Sequence, residues 1–327
     1  MLKKTIFYFS IFSSIFLLES CETSDVDAAT GDWFKLSDLD GLARYAAVGF
    51  SIDGYGYLGM GADEDNYKLS DFWKYDPSRN TWTQVASFPG LARTAATGFS
   101  VDGKGYIGTG LDQEDNRLND FWEFDPDANT WKQKSDFPGT GRRNAISFAI
   151  GSKGYLGTGF DGSYTKDFYS YDPSIDEWTK ITSIGGSKRV AAAAFVIGNK
   201  GYVGTGNNNG VNLTDFWEYD PAQDLWTEKL DFDETTIARS YGLGFSLKNK
   251  GYFMGGSASN DVWEFTPGGD DDLGTWSQVT SFEGSPRNYT VAWSINDEGY
   301  ISTGSNGVSR YDDLWKFIPD IVQDDED

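Results

Sequence analysis

The sequence predicts an all-β protein, a six-bladed β-propeller of four-stranded antiparallel blades, and two observations support this. The first is composition: 16% of the 327 residues are aromatic, and there are 39 glycines against 9 prolines and 3 methionines. Aromatic residues favour strands and glycines favour tight turns, so this composition is typical of β-sheet. The second is a motif that recurs six times, about every 50 residues, which indicates a repeat architecture.

Each copy of the motif contains a Gly-Tyr pair, with another glycine four residues after the tyrosine. The six pairs are Gly56-Tyr57, Gly105-Tyr106, Gly154-Tyr155, Gly201-Tyr202, Gly251-Tyr252 and Gly299-Tyr300. An Asp-x-Trp element follows each pair, with Tyr169 replacing the tryptophan in the third copy, and a turn with proline comes next. One structural unit is therefore built six times along the chain.

Four short runs within the first copy have the length and composition of strands. They cover residues 45–52, 57–61, 72–75 and 82–85, and they are separated by turn-forming glycine, aspartate, asparagine and proline residues. Each repeat is therefore predicted to form one four-stranded antiparallel blade.

A second series of tryptophans comes after the proline turns and predicts how the ring closes. Its five members within the repeats are Trp82, Trp131, Trp178, Trp226 and Trp276. A sixth, Trp33, precedes the first repeat, so the N-terminal strand is predicted to complete the last blade and leave no long sheet edge open. Eleven of the twelve tryptophans occupy the two repeat positions and should pack between blades. The twelfth, Trp293, is predicted to lie in the core.

The four-stranded repeat of about 50 residues resembles the kelch repeat of β-propellers. The resemblance runs from Trp33 to Pro319, and the fifth copy has the adjacent pair Gly255-Gly256, where the other copies have Gly-x-Gly or Thr-Gly. Kelch domains that bind acidic peptides use arginines at the start of the first strand. The resemblance therefore implies a ligand on the face where those arginines lie.

The N-terminal segment predicts export and lipid attachment. Two lysines, an apolar stretch of 14 residues and the sequence Leu18-Glu19-Ser20-Cys21 are similar to a bacterial lipoprotein signal. As a helix this stretch would span about 21 Å, less than the roughly 30 Å hydrocarbon core, which argues against a permanent membrane span. We expect a signal peptide at 1–20, a tether at 21–31, the propeller at 32–319 and an acidic tail at 320–327. Lipidated at Cys21, the protein would lie at the outer membrane or cell surface. The alternative is secretion without a lipid.

Charge and residue usage exclude several classes of function. The 27 lysines and arginines are outnumbered by 50 aspartates and glutamates, giving a net charge of −23, so nucleic acid is not an expected partner. The chain has no histidine, and its one cysteine lies in the signal region. This excludes histidine triads, imidazole- and thiolate-bound metals, and the Tyr-Cys copper cofactor of galactose oxidase. No metal or cofactor is expected, although oxygen-rich loops such as 63–66 leave calcium open.

The connections between blades should open on the same face as the loops between strands two and three, and we expect a ligand there. Each connection ends in an arginine: Arg44, Arg93, Arg143, Arg189, Arg239 and Arg287. Six guanidinium groups near the axis could bind an anionic ligand. Alternatively, each arginine pairs with the aspartate of an Asp-x-Trp element and stabilises the fold.

Departures from the repeat are the better candidates for a selective site. The connection 232–239 is longer than the others and carries Asp233 and Glu234, and Arg142 adds a second arginine beside Arg143. If the arginines prove to be scaffold, the variable loop at 207–209 is the next candidate.

Two hypotheses of function follow. The first is a non-catalytic, lipid-anchored binding module of the cell envelope that recognises an unidentified protein or glycan, with anionic ligands favoured. The second is a sugar mutarotase/epimerase, because similar kelch propellers include the sialic-acid mutarotases. In that case Glu234 would supply acid-base chemistry and Arg239 would hold the acid group of the substrate.

Overall fold

The computed structural model describes residues 30–231, 238–256, 259–269 and 271–322, and in these ranges the chain is all-β. Six four-stranded antiparallel sheets form six blades, as the sequence predicts. No helix in the described ranges is long and apolar enough to cross a membrane.

The first three blades follow one another along the chain in the simple order of their strands. Blade 1 contains β2 (Val48–Ile52), β3 (Tyr55–Gly59), β4 (Phe72–Asp76) and β5 (Thr81–Val85). Blade 2 contains β6 (Thr97–Val101), β7 (Lys104–Gly108), β8 (Phe121–Asp125) and β9 (Thr130–Lys134). Blade 3 contains β10 (Ile146–Ile150), β11 (Lys153–Gly157), β12 (Phe168–Asp172) and β13 (Glu177–Ile181).

Blades 4 to 6 repeat this plan with two additions, a small hairpin in blade 4 and the N-terminal strand in blade 6. Blade 4 contains β14 (Ala193–Ile197), β15 (Lys200–Gly204), β18 (Phe216–Asp220) and β19 (Leu225–Glu228), with the hairpin β16 (Asn207–Asn208) and β17 (Val211–Asn212). Blade 5 contains β20 (Gly242–Leu247), β21 (Lys250–Gly255), β22 (Val262–Thr266) and β23 (Thr275–Val279). Blade 6 contains β24 (Val291–Ile295), β25 (Glu298–Ser302), β26 (Leu314–Val322) and β1 (Thr30–Lys35).

The innermost strand of blade 1 starts later than the sequence predicts. The predicted run in blade 1 begins at residue 45, but β2 begins at Val48. Ala46 has a φ of 49°, in the left-handed region, so the chain turns at this residue before it enters the strand. The second strand is predicted over residues 57–61, but β3 runs from Tyr55 to Gly59. It ends there because Met60 also has a positive φ, of 59°.

The N-terminal strand closes the ring, as predicted. β1 pairs antiparallel with β26, with Trp33 opposite Phe317, and the Trp33 side chain is only 3% exposed. The pairing reaches Thr30 opposite Val322, so the blade takes in residues 30–31 and 320–322, which the sequence assigns to the tether and the tail. The innermost strands β2 and β24 are also in contact, so blades 1 and 6 meet at the axis.

The tryptophans of the outermost strands join each blade to the one before it. In each blade the indole Nε1 donates to a backbone carbonyl just after the outer strand of the preceding blade, at 2.8 to 3.3 Å. The six pairs are Trp33–Thr280, Trp82–Ser37, Trp131–Ala86, Trp178–Ser135, Trp226–Thr182 and Trp276–Leu230. The predicted packing between blades is therefore accompanied by a directional hydrogen bond.

The glycine of each Gly-Tyr pair leaves room for an aromatic ring from the preceding blade. A Cβ atom at Gly105 would lie 2.1 Å from the Phe50 ring, and one at Gly154 would lie 1.9 Å from Phe99. In blade 1 the ring above the glycine is Trp293, which is 3% exposed and lies in the core as the sequence predicts. The repeated glycine is thus a packing requirement between blades.

The two ends of the propeller carry different loops. We call the end with the connections between blades and the loops between strands two and three the mouth face, and the opposite end the hairpin face. β26 starts beside Asp313 on the mouth face and runs to Val322 on the hairpin face. Because β1 is antiparallel to β26, Thr30 also lies at the hairpin face. Both ends of the described chain therefore leave the propeller there.

Candidate functional site

Six arginines on the mouth face are held by aspartates of their own blades. In blade 1 the Nη1 and Nη2 atoms of Arg44 donate to Oδ1 and Oδ2 of Asp71 at 2.6 and 2.7 Å. The six pairs are Arg44–Asp71, Arg93–Asp120, Arg142–Asp167, Arg189–Asp215, Arg239–Asp261 and Arg287–Asp313. The Arg-Asp pairing that the sequence left open as an alternative is therefore present in every blade.

The surroundings of these arginines are those of a buried structural pair. Their exposed fractions are 2% or less, and each guanidinium also donates to a backbone carbonyl of its blade. In five blades the indole of the Asp-x-Trp element donates to the same aspartate. A guanidinium with its donors occupied in this way is not presented to an incoming ligand.

Burial by itself would raise the pKa of the paired aspartates, but the arginines outweigh it. For Asp71, Asp120 and Asp261 the hydrogen bonds and positive charge of the arginine bring the carboxyl pKa below its usual value. These three aspartates are therefore ionised at neutral pH.

In blade 3 the structural arginine is Arg142, and the sequence-based alignment of Arg143 with the other five arginines is wrong. Every structural arginine donates to a carbonyl sixteen residues later, and Arg142 does so to Thr158 at 2.8 Å. Arg143 takes the next position, which is a bridge to Phe160 on the mouth face. That spacing of sixteen is the signal that would have assigned the two residues correctly.

The remaining sequence candidates have separate outcomes. Asp233 and Glu234 lie outside the described residues. In the described part of the longer connection, the guanidinium of Arg239 is held by Asp261. In the described ranges no group of three or more aspartate, glutamate, histidine or cysteine residues is arranged to hold a metal ion.

A closed ring of backbone hydrogen bonds surrounds the axis at the mouth face. One residue per blade donates its N–H to the carbonyl of the equivalent residue in the preceding blade, at 3.0 to 3.2 Å. The six residues are Ala46, Ala95, Asn144, Ala191, Tyr241 and Tyr289, and we call them the axial ring. All six have φ between 49° and 63°, a conformation that bulky side chains seldom adopt.

The backbone of the axial ring is symmetric but its side chains are not. Alanine is sufficient to form the ring in three blades, whereas two neighbouring blades carry Tyr241 and Tyr289, whose rings are 4.3 Å apart. Tyr45 packs edge-on against Tyr289 with centroids 5.6 Å apart, and the Arg310 guanidinium lies 4.4 Å from the centre of the Tyr45 ring. One side of the mouth is therefore aromatic.

A cavity of about 300 Å³ opens beside this aromatic side, and we call it the mouth cavity. Tyr45 and Tyr289 line one part of it, and Arg143, Asn144 and Lys68 line another. The Lys68 ammonium pairs with Asp115 at 2.9 Å, whereas Arg143 has no carboxylate within 4.0 Å among the described residues. The cavity thus combines aromatic surface, amide groups and an uncompensated positive charge.

The tyrosines of the mouth were missed by the sequence analysis. The sequence candidates were the shared arginines, the irregular connection 232–239, Arg142 and the loop 207–209. The position two residues after each structural arginine, where the repeats also differ, was not among them. An aligned column for that position would have read Ala, Ala, Asn, Ala, Tyr, Tyr. Such variation at a fixed place in a repeat was the available signal.

Comparisons with known proteins agree with this architecture. Residues 43–191 match the family model of the KLHDC2/KLHL20/DRC7 Kelch-repeats domain. No curated protein matches the chain at a significant level. A solved structure titled "Structure of YjhT" superposes with a TM-score of 0.73 over 85% of this chain and 95% of that chain, at 18% sequence identity. Identity this low shows a common fold alone. Its six repeats and closed ring of blades make the chain a six-bladed β-propeller, of which residues 43–191 match a kelch-repeat family model.

Proposed function

We propose that this propeller is a non-catalytic binding module, anchored by a lipid on Cys21 to the outer membrane or cell surface, that holds a glycan in the mouth cavity. The observation that carries the proposal is the asymmetry of the axial ring. Three blades show that alanine completes the ring, so the structure of the ring does not require tyrosine at 241 or 289. Residues held in sparsely populated backbone conformations cluster at active sites and ligand-binding sites.

The chemistry of the mouth cavity suits a sugar. Tyrosine rings offer a flat apolar surface to the C–H face of a pyranose, and a volume of about 300 Å³ is at the small end of ligand pockets. The Asn144 amide and the Arg143 guanidinium supply donors for hydroxyl or acid groups. Burial and the neighbouring Tyr241 raise the pKa of Tyr289, so its hydroxyl remains a neutral hydrogen-bond donor.

The position of the described chain ends indicates how a lipid-anchored propeller would face the membrane. Thr30 lies on the hairpin face, nine residues after Cys21, so an extended tether would reach about 30 Å at most. A lipid on Cys21 would hold the hairpin face towards the bilayer and turn the mouth away from it. The mouth would then be accessible to large glycans.

The alternative, a mutarotase/epimerase, needs a carboxylate placed for proton transfer. The carboxylate that lines the described mouth cavity is Asp115, and it is paired with Lys68 at 2.9 Å. Glu234, the residue that the sequence offers for this role, lies outside the described residues. The described geometry therefore favours binding.

The experiment compares binding of neutral and charged oligosaccharides to the mature protein and to Tyr289→Ala, by array screening followed by calorimetry. Alanine occupies the same ring position in three blades, so the variant should keep the backbone ring and lose at least about tenfold in affinity. Tyr55→Ala, on the hairpin face, is the matched control and should bind normally.

Unchanged affinity in Tyr289→Ala would place the ligand elsewhere. Magnetisation transfer between the two anomers of a bound sugar, faster than in buffer, would instead favour the epimerase.

A further inference from the structure

A second cationic cluster lies on the mouth face, away from the axis, in the loops of blades 2 to 4. In a chain with a net charge of −23, the six structural arginines are all paired with carboxylates. Arg117, Arg143 and Lys188 have no carboxylate within 4.0 Å in the part of the chain that the structure describes. Three unpaired cations in neighbouring loops of an acidic protein require an explanation.

Two of these cations, Arg117 and Arg143, lie against the ring of Phe160. The guanidinium carbons of Arg143 and Arg117 lie 5.3 and 5.8 Å from the centre of its ring. A Cβ atom at Gly162 would lie 3.5 Å from Nη2 of Arg117, so the guanidinium extends over a backbone that has no side chain there. Phe160 thus positions two guanidinium groups beside one loop of blade 3.

A cavity of about 280 Å³ is lined in part by this loop, and we call it the outer pocket. Its lining includes Phe160, Gly162, Ser163, Lys188, Asn208 and Asn209. It therefore includes two of the three asparagines in the variable loop that the sequence put forward as the next candidate.

Cations outnumber unengaged carboxylates among the residues that line the outer pocket or contact its lining. The nearest carboxylate on the loop is Asp161, and it is engaged within the protein: one oxygen accepts from the Ser163 N–H at 3.0 Å and the other accepts from the Thr140 hydroxyl. Lys188 lines the pocket itself, whereas Arg117 lies beside the lining residue Gly162 and Arg143 packs on the ring of the lining residue Phe160. The lining residues Asn208 and Asn209 add neutral amide donors.

The cations are not demanded by the fold. Arg143 bridges to Phe160 in the way that Tyr45, Thr94, Val190 and Asn288 bridge to the equivalent residues of their blades. Those four positions carry no charge, so the bridge forms without one. A cation–π contact at an exposed site is a weak interaction, and packing of a neutral side chain could replace it.

The number of cations indicates the kind of anion. Within this protein a single arginine satisfies both oxygens of a carboxylate, as in each Arg-Asp pair. Two guanidinium groups, an ammonium group and two amides offer donors to more oxygens than a carboxylate has, and from several directions. A tetrahedral oxyanion with three free oxygens matches that arrangement.

We propose that the outer pocket binds the sulfate or phosphate ester group of a substituted glycan. The sugar part of the inference rests on the proposed function, whereas the anion site stands on the contacts around Phe160. Arg117 and Lys188 contact the ester oxygens, Arg143 contributes from the side of the mouth cavity, and the asparagine amides bind the remaining oxygens.

The test measures calorimetric affinities of the mature protein for three probes: a chondroitin 4-sulfate tetrasaccharide, its unsulfated counterpart and mannose 6-phosphate. We expect at least one ester-bearing probe to bind about tenfold more tightly than the unsulfated tetrasaccharide, with an affinity that falls as salt rises. Arg117→Gln and Lys188→Gln should each remove most of that difference. Lys153→Gln, which removes an exposed positive charge from the hairpin face, is the matched control and should have no effect. The sulfated and phosphorylated probes distinguish the two sources of the oxyanion.

Three results would overturn the inference: equal affinity for sulfated and unsulfated tetrasaccharides with no binding of mannose 6-phosphate, no binding of any ester-bearing probe, or an equal loss in Lys153→Gln. Thermal midpoints close to that of the wild type establish that the glutamine variants are folded.

Tyr289→Ala separates this inference from the proposed function. If that variant alone loses binding, the mouth cavity holds the glycan and the outer pocket is not an anion site; if only the glutamine variants lose binding, the reverse holds.

Discussion

The backbone N–H of Ala46 donates to the carbonyl oxygen of Tyr289 at 3.1 Å, and this bond joins the first blade to the last at the axis. At the outer edge of the same ring, β1 pairs with β26. The propeller is therefore closed twice, by the axial ring inside and by the exchanged strand outside. Because the N-terminal strand belongs to the last blade, separating blades 1 and 6 requires breaking both sets of bonds.

Trp33→Ala should destabilise the protein by about 3 to 5 kcal/mol, the usual cost of truncating a buried large aromatic residue. The Trp33 side chain packs against Phe282 and Phe317, with ring centroids 4.9 and 4.8 Å away, and its Nε1 donates to the blade before it. Denaturant unfolding measures the change. Phe34→Ala, on the other side of the same strand and half-buried, is the control and should cost clearly less. Equal losses would mean that Trp33 does not close the ring.

Gly154→Ala should destabilise the fold by about 1 to 3 kcal/mol through overpacking. The added methyl group would lie 1.9 Å from the Phe99 ring, which is itself buried at the contact between two blades. Combining it with Phe99→Leu should restore part of the loss, because the smaller side chain makes room. If the double variant is no more stable than the sum of the two single changes predicts, steric contact with Phe99 is not the cause.

Much of the fold could be predicted because the features that form it are repeated. The Gly-Tyr pair, the Asp-x-Trp element and the outer tryptophan recur because each blade needs the same contacts with its neighbour. The start of β2 was misplaced because the turn at Ala46 comes from tertiary hydrogen bonds around the axis, and alanine itself gives no turn signal. Arg142 and Arg143 were confused because they are identical neighbours. Only the spacing of sixteen residues to the carbonyl that Arg142 binds distinguishes them.

Arg44→Ala and Arg287→Ala should each destabilise by about 3 to 5 kcal/mol, because each leaves a partly buried aspartate without its partner. The two arginines occupy equivalent positions in different blades, so their losses should be similar. Asp71→Asn together with Arg44→Ala should recover part of the stability by removing the orphaned charge. A loss of glycan binding in only one of the two arginine variants, at equal stability, would show that this arginine also contacts the ligand.

Acid should weaken these pairs in a defined range of pH. The pKa of Asp71 is lowered in the folded protein by Arg44, so the stabilisation is present above the unfolded-state pKa of about 3.9 and is lost as the pH falls through the folded-state value. The difference in thermal midpoint between the wild type and Asp71→Asn should thus be constant from about pH 7 to pH 5 and shrink below about pH 4. A difference that stays constant down to pH 2 would contradict the assigned pKa direction.

The proposed anchor predicts both attachment and orientation. Cys21→Ser should release the protein from the membrane fraction and remove the lipid from its mass, because in the mature chain no other segment is apolar enough to hold it there. Since Cys21 is the only cysteine, single cysteines can be added as probes of the two faces. Val308 on the mouth face is 84% exposed and Ile175 on the hairpin face is 61% exposed, so neither substitution should disturb the core.

With the lipid in place, a bulky maleimide should label Val308→Cys faster than Ile175→Cys, because the tether keeps the hairpin face within about 30 Å of the bilayer. In the detergent-free protein released by Cys21→Ser, the two labelling rates should become similar. Equal rates on the membrane would mean that the tether does not orient the propeller, and the mouth would then have no fixed direction from which to meet a large glycan.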